Sequence, residues 1–224
     1  MAKLAAQVSV GRKIKDLDLP IFGTPNYHWY AVKEAVFPFN RFAGVDPVLS
    51  PEMKSTGEVM GMDYVFEAAF WKAQIAAGQA LPKSGTVFLS ANDESKEWIT
   101  EIGITLHGLG FEIIATEGTA KALAEREVPA KTLHKLAEGK SPNIRDYMAD
   151  GKVGLIINTP SSAISKQDEI TIRAEAVTRS IPIITTKWGA LPSIAAIEYI
   201  NKRDWTVTAL QEYFLASPSG NKFR

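Results

Sequence analysis

Three polar clusters in the sequence bring together residue types that bind anions. Ser90, Asn92 and Lys96 form the first, Thr116, Gly118 and Thr119 the second, and Asn158-Thr159-Pro160-Ser161-Ser162 the third. Hydroxyl and amide groups donate hydrogen bonds to phosphate oxygens, and glycine lets a ligand approach the backbone. Lys96 lies one turn inside a predicted helix, from which an ammonium can reach back over the helix start. Lys135 is a second candidate cation, and Thr185 and Thr186 add two hydroxyls. Each group also has an ordinary structural use. Lys96 and Lys135 could be solvated surface lysines, Thr119 a helix cap that satisfies its own backbone, and the run after Asn158 a plain chain turn.

What joins the clusters is their place in the chain. Val87-Phe88-Leu89 is a short apolar run that ends in the polar turn Ser90 to Asp93. A helical pattern follows to about Leu109, with Asp93 as its cap and Trp98, Ile102, Leu106 and Leu109 as its buried stripe. Gly110 stops it as a left-handed C-terminal residue. A second apolar run, Phe111 to Ala115, ends in Thr116-Glu117-Gly118-Thr119, and a helix covers about Thr119 to Arg126. Strand, helix, strand, helix is the repeating unit of a parallel α/β sheet. Runs at Ala130–Lys135, Val153–Asn158 and Ile181–Ile184 extend it, with helices over about Pro142–Met148, Gln167–Arg179 and Leu191–Asn201. Residues 84–200 are therefore expected to form a sheet of about five parallel strands with helices on both faces. Ligands of such sheets bind beyond the carboxyl ends of the strands, where helix N-termini favour anions. All three clusters stand at such ends, so a phosphate-bearing small molecule is the expected ligand.

Composition sets limits on this reading. The 224 residues hold 25 Lys and Arg against 25 Asp and Glu, so no net field favours nucleic acid or membrane. A hydrophobic fraction of 46% suits a soluble globular protein. The lack of cysteine excludes disulfides and thiolate metal sites. The start MAKLAAQVSVGRK lacks the apolar core of a signal peptide, and no apolar run approaches the roughly 20 residues of a membrane span. A cytoplasmic protein is the expectation. Neither GxxxxGK[ST] nor GxGxxG follows a strand. His28, His107 and His134 lack metal-ligand spacing. Asp93 and Glu117 read as helix-start carboxylates rather than general bases. The rim reads as a binding site without chemistry.

The first part of the chain is less regular. Residues 2–10 have a helical pattern, KDLDLPIFGTPNYHW is loop by its turn chemistry, and Tyr30 to Phe37 alternates like a strand. Phe39 to Met62 reads as one long ordered loop. Asp63 caps a predicted helix to about Ala77, which Gly78 and Pro82 close. A boundary at residues 78–84 divides a smaller α+β piece, residues 1–80, from the sheet domain, residues 81–224. Glu34, flanked by Ala35, Val36 and Phe37, could hold an amine or pair within the loop. A last short helical stretch follows Ala209.

The segment VKEAVFPFNRFAGVDPVLSPEMKSTGEVMG, residues 32–61, resembles the end of the second ATP-grasp half of carbamoyl phosphate synthetase large subunits in its VKE…PF, GVDP and PEM-STGEVMG runs. Residues 84–200 resemble the methylglyoxal-synthase-like allosteric domain that follows in that subunit. The likeness covers nearly the whole chain and keeps the order of the two pieces. It implies a regulatory C-terminal portion that binds nucleoside monophosphates, UMP as inhibitor and IMP as activator in bacterial enzymes. Ser90, Lys96, Thr116, Gly118, Thr119, Lys135, Asn158 and Thr159 match the family's nucleotide contacts. Ornithine, another activator, is implied at Glu34, Leu49 and Thr185. One departure bears on the site. Enteric bacterial sequences follow the Asn-Thr pair with Thr-Ser-Gly-Arg-Arg, where this chain has Pro160-Ser161-Ser162-Ala163-Ile164 and so loses two cations.

The resemblance also implies what lies elsewhere. The ATP-grasp metal and nucleotide ligands, the first ATP-grasp half and the glutaminase small subunit are expected outside this sequence, which reads as a truncated gene product or an expressed fragment. The complete enzyme would make carbamoyl phosphate from glutamine-derived ammonia, bicarbonate and two ATP, with Mg²⁺ or Mn²⁺, for pyrimidine and arginine synthesis. This chain alone is expected to be non-catalytic, to carry no cofactor, and to act with the rest of the large subunit, the small subunit and, through its allosteric domain, further copies of itself. Three other readings compete. A methylglyoxal synthase needs a carboxylate base beside the substrate phosphate, and the Asn158–Ser162 turn offers none where that family places an aspartate. The cyclohydrolase half of the bifunctional purine-synthesis enzyme shares the T-x-GTA-K run, but not the GVDP and STGEVMG runs. A purely structural oligomerisation module would bind nothing at the rim.

Overall fold

The computed structural model describes residues 2–17, 28–36, 57–159 and 166–215. Its centre is a five-stranded parallel sheet. The strands are β3 (Thr86–Ser90), β4 (Glu112–Thr116), β5 (Lys131–Leu133), β6 (Val153–Asn158) and β7 (Ile183–Ile184), in the spatial order β5-β4-β3-β6-β7. The chain steps outward from β3 through β4 to β5, then returns to the other side of β3. The reversal falls between β3 and β6, whose last residues, Ser90 and Asn158, pair in register. That is the switch point at which open α/β sheets bind ligands.

Both faces of the sheet are apolar because both are covered. Val87, Leu89, Ile113, Ala115, Leu155 and Ile157 join one core with Ile99, Ile102 and Leu106 of helix α3 (Lys96–Gly108) and Ile194 and Ile197 of α7 (Lys187–Lys202). The alternate residues Phe88, Ile114 and Ile156 join a second core with Ile144 and Met148 of α5 (Ile144–Ala149) and Ile172 and Ala176 of α6 (Lys166–Thr178). A period of two splits each strand between two cores, which makes the sequence of a doubly covered strand a continuous apolar run. Helix α4 (Glu117–Ala124) contributes Leu123 to the first core.

Gly110 ends α3 as expected, at φ +85°. Its amide donates to the His107 carbonyl at 2.9 Å and the next amide, of Phe111, to Leu106 at 3.0 Å, so two orphan carbonyls are satisfied. The start of α3 differs from the expectation. Asp93–Ser95 form a 3₁₀ turn, and Asn92 caps it by accepting from the Ser95 amide. Helix α7 begins four residues before the predicted Leu191, because Thr186 caps it by accepting from Gly189, and Pro192 lies inside it rather than at its first turn.

The first part of the chain opens with helix α1 (Ala2–Ser9) and contains an antiparallel pair, β1 (Tyr30–Val36) and β2 (Gly57–Asp63), backed by helix α2 (Phe66–Ala76). Strand β2 corrects the reading of residues 57–62 as loop. Its glycines hide the strand pattern, and pairing with β1 defines it. Helix α2 packs along α7 and inserts Trp71 into the first sheet core. Helix α8 (Leu210–Leu215) returns to this part of the molecule, where the Tyr213 hydroxyl donates to the Met62 carbonyl at 2.8 Å. Among the described residues no helix is long and apolar enough to cross a membrane.

Candidate functional site

A cavity of about 170 Å³ opens at the carboxyl ends of β3, β4 and β6. Seven of the eight residues expected at a nucleotide site line it: Ser90 at the end of β3, Lys96, Thr116 at the end of β4, Gly118, Lys135, and Asn158 and Thr159 at the end of β6. The eighth, Thr119, stands behind the wall. It is 2% exposed, its hydroxyl oxygen accepts from the Ala91 amide at 2.9 Å, and it lies 3.2 Å from the Thr116 hydroxyl.

The wall is built by its own hydrogen bonds. The turn after β3 is held on one side by Thr119 and on the other by Thr159, whose hydroxyl accepts from the Asn92 amide at 3.2 Å. The Thr159 amide in turn donates to the Ser90 carbonyl at 2.9 Å. The hydroxyls of the second and third clusters thus shape the rim as well as border it. Asn158 is 7% exposed, and among the described residues nothing partners its side-chain amide. The residue borders the cavity.

The cations approach from two directions. Lys96 opens α3 and its Nζ lies 2.6 Å from Asp93 Oδ1. The same Nζ is 3.8 Å from the point where a Cβ on residue 118 would sit, so the lysine head lies beside Gly118 in the first turn of α4. Lys135 follows β5, and its backbone amide donates to Glu138 Oε1 at 3.1 Å. Among the described residues no carboxylate is within ion-pair distance of its ammonium. Asp93 is held below the usual carboxylate range by its hydrogen bond and charge contact with Lys96, and more weakly by Lys135.

Sequence reasoning missed the opposite wall. His134 borders the cavity and pairs with Glu138 Oε2 at 3.2 Å. Asp168 and Glu169, in the first turn of α6, supply two carboxylates there, and Asp168 Oδ2 accepts from the Ala137 amide at 3.0 Å. Phe88, Ile144 and Ile172, buried in the second core, back the same side. Apart from Phe88, which shares β3 with Ser90, these residues come from segments outside the three polar clusters. Their only sequence signal is the place of Asp168 and Glu169 at a helix start after β6.

The residues expected at an amine site lie elsewhere. Glu34 is half-buried on β1 and accepts from Gln74 Nε2 at 3.1 Å. Burial pushes its carboxyl above the usual 4.5, and the Gln74 bond opposes this in part. Thr185 follows β7, directly before the α7 cap. Neither lines the cavity. Leu49, like residues 160–164 after the Asn158-Thr159 pair, lies outside the described residues. Among the described residues no group of His, Asp or Glu is placed to hold a metal ion.

Residues 98–185 match the family model of the MGS-like domain. The chain is 44% identical over 220 residues to a carbamoyl phosphate synthase large chain, C-terminal section, of Methanocaldococcus jannaschii, covering 95% of this chain and 36% of that protein. The corresponding C-terminal section of Methanopyrus kandleri is 44% identical over 218 residues, with 95% and 40% covered. An arginine-specific, chloroplastic large chain of Oryza sativa is 45% identical over 215 residues, with 96% and 18% covered. The chain thus spans well under half the length of these relatives. A solved methylglyoxal synthase of Elizabethkingia anophelis aligns with 60% of this chain and 92% of its own, at 16% identity and a TM-score of 0.38.

Proposed function

We propose, from the premise that this chain is a homologue of the C-terminal section of carbamoyl phosphate synthase large chains and carries an MGS-like domain, that the cavity at the ends of β3, β4 and β6 binds a nucleoside monophosphate effector. One observation carries the reading. Lys96, Lys135, Gly118 in the first turn of α4, and Asn158 all border one cavity. Cations, helix-start amides and a side-chain amide together suit a phosphate dianion. The facing wall suits the rest of a nucleotide. Asp168 and Glu169 can accept from ribose hydroxyls, and the apolar side chains of Phe88, Ile144 and Ile172 lie behind them.

UMP and IMP are the proposed effectors, with ornithine at Glu34, Leu49 and Thr185 as a separate site. The parent enzyme would be the ATP-dependent, Mg²⁺- or Mn²⁺-requiring synthesis of carbamoyl phosphate from glutamine-derived ammonia and bicarbonate, serving pyrimidine and arginine synthesis in the cytoplasm. This chain is its regulatory end, acts with the rest of the large chain and the glutaminase subunit, and makes no carbamoyl phosphate by itself. Calorimetric titration of the folded chain with UMP and with IMP at low salt tests the reading. Micromolar binding of either is expected. No heat with either would leave the domain as a structural module.

A further inference from the structure

Lys96, the ammonium proposed to meet phosphate, already has an anion bound to it. Asp93 Oδ1 lies 2.6 Å from Lys96 Nζ, and both residues border the cavity. The Lys96 side chain is 35% exposed and stays against the wall beside Gly118, whereas that of Asp93 is 92% exposed and meets the ammonium from the solvent side. The charge of Lys135 also acts on Asp93, so the carboxylate lies in the field of both cations. Its backbone is fixed in the 3₁₀ turn capped by Asn92, which keeps the carboxylate three residues before the lysine.

Resting on the phosphate-binding reading above, we propose that Asp93 is a resident counter-anion of the phosphate subsite that tempers its affinity for anions in proportion to their charge. An incoming anion must displace the carboxylate from Lys96. Breaking the pair costs the same whichever anion arrives, but the displaced carboxylate then repels a phosphate monoester dianion about twice as strongly as a phosphodiester monoanion. Asp93 therefore holds down affinity for the dianion most and keeps its binding readily reversible, a repulsive element set beside the attractive ones. The ion pair is exposed and therefore weak, so a dianion displaces it readily.

The test compares the wild-type chain with Asp93→Asn and Asp93→Ala by calorimetric titration with UMP and with the methyl phosphodiester of UMP. Both variants are expected to bind UMP about tenfold more tightly and the diester about threefold more tightly, which widens the preference for the monoester. Unchanged or weaker UMP binding in both variants, with normal thermal unfolding, would make Asp93 a positioning residue for Lys96 and overturn the proposal. An equal gain for both ligands, or a larger gain for the diester, would overturn the charge dependence. Absence of UMP binding by the folded wild type and by both variants would remove the phosphate-binding reading itself, whereas wild-type binding that Asp93 does not affect removes only this inference.

Discussion

The Ala91 amide donates to Thr119 Oγ1 at 2.9 Å and so ties the end of β3 to the first turn of α4. Thr119 is 2% exposed, and its other near polar neighbour is the Thr116 hydroxyl. Its hydroxyl therefore acts on the wall of the cavity. Thr119→Val keeps the volume but leaves the Ala91 amide without its acceptor. A loss of about 1–3 kcal/mol in unfolding free energy is expected. Thr119→Ser, which keeps the acceptor, should lose much less. Urea unfolding of the two variants checks this, and equal losses would mean that the methyl group, not the hydroxyl, holds the turn.

Lys96 is the group most exposed to test at the phosphate subsite. Lys96→Ala should weaken UMP or IMP binding by at least about tenfold, the equivalent of roughly 1.4 kcal/mol for one charge-assisted contact. Lys135→Ala should act in the same direction and flatten the dependence of affinity on salt. Unchanged affinity in Lys96→Ala, measured by titration, would remove that residue from the subsite.

Gly61 and Gly103 differ in what a side chain would meet. A Cβ at 61 would run into the Ala69 carbonyl and the Ala73 amide, where β2 packs on α2, while a Cβ at 103 would meet the end of the Leu123 side chain. Backbone cannot give way as a leucine tip can. Gly61→Ala should cost more than the roughly 1–3 kcal/mol of ordinary overpacking, and Gly103→Ala should stay within it. Thermal unfolding of the pair decides, and the reverse order would contradict the packing of β2 on α2.

The sheet domain was legible in the sequence because its strands are buried on both faces. Val87–Leu89, Phe111–Ala115 and Val153–Asn158 read as apolar runs, and each ends in the polar turn that its carboxyl end requires. Strand β2 was not legible, since Glu58, Met60 and the two glycines carry no alternation of their own and the strand depends on its pairing with β1. The polar half of the cavity was legible because each of its residues ends a strand or starts a helix. The facing half was not. His134, Asp168 and Ile172 meet only once β5, at the sheet edge beside β4, and α6 reach the same end of the sheet, and no spacing along the chain encodes that approach.

The proposed boundary between residues 1–80 and 81–224 crosses a packed surface. Trp71 of α2 is 4% exposed against the core that α7 shares with the sheet, and the Tyr213 hydroxyl reaches the Met62 carbonyl. The second core, by contrast, draws all its members from residues beyond 84. A chain of residues 81–224 should therefore still unfold cooperatively but at a lower temperature than the whole. Calorimetry of that chain checks it, and a loss of the cooperative transition would place α2 inside the folding unit of the sheet.

Glu34 links stability to pH with a defined sign. Burial holds its folded-state carboxyl above the usual 4.5, and the Gln74 bond offsets this only in part. Below about 4.5 the folded and unfolded states are both protonated and the group costs nothing. As pH rises through that value the unfolded chain releases its proton first, so stability falls until the folded carboxyl ionises as well. Glu34→Gln keeps an acceptor for Gln74 and removes the titration. It should be more stable than the wild type at pH 7 and indistinguishable from it near pH 4. A ligand amine at this site would reverse the cost by pairing with the carboxylate. Ornithine should then raise the unfolding temperature of the wild type at pH 7 and leave that of Glu34→Gln unchanged. An equal rise in both chains would take Glu34 out of the amine site, while a variant less stable than the wild type at pH 7 would show that the ionised carboxylate is already compensated within the fold.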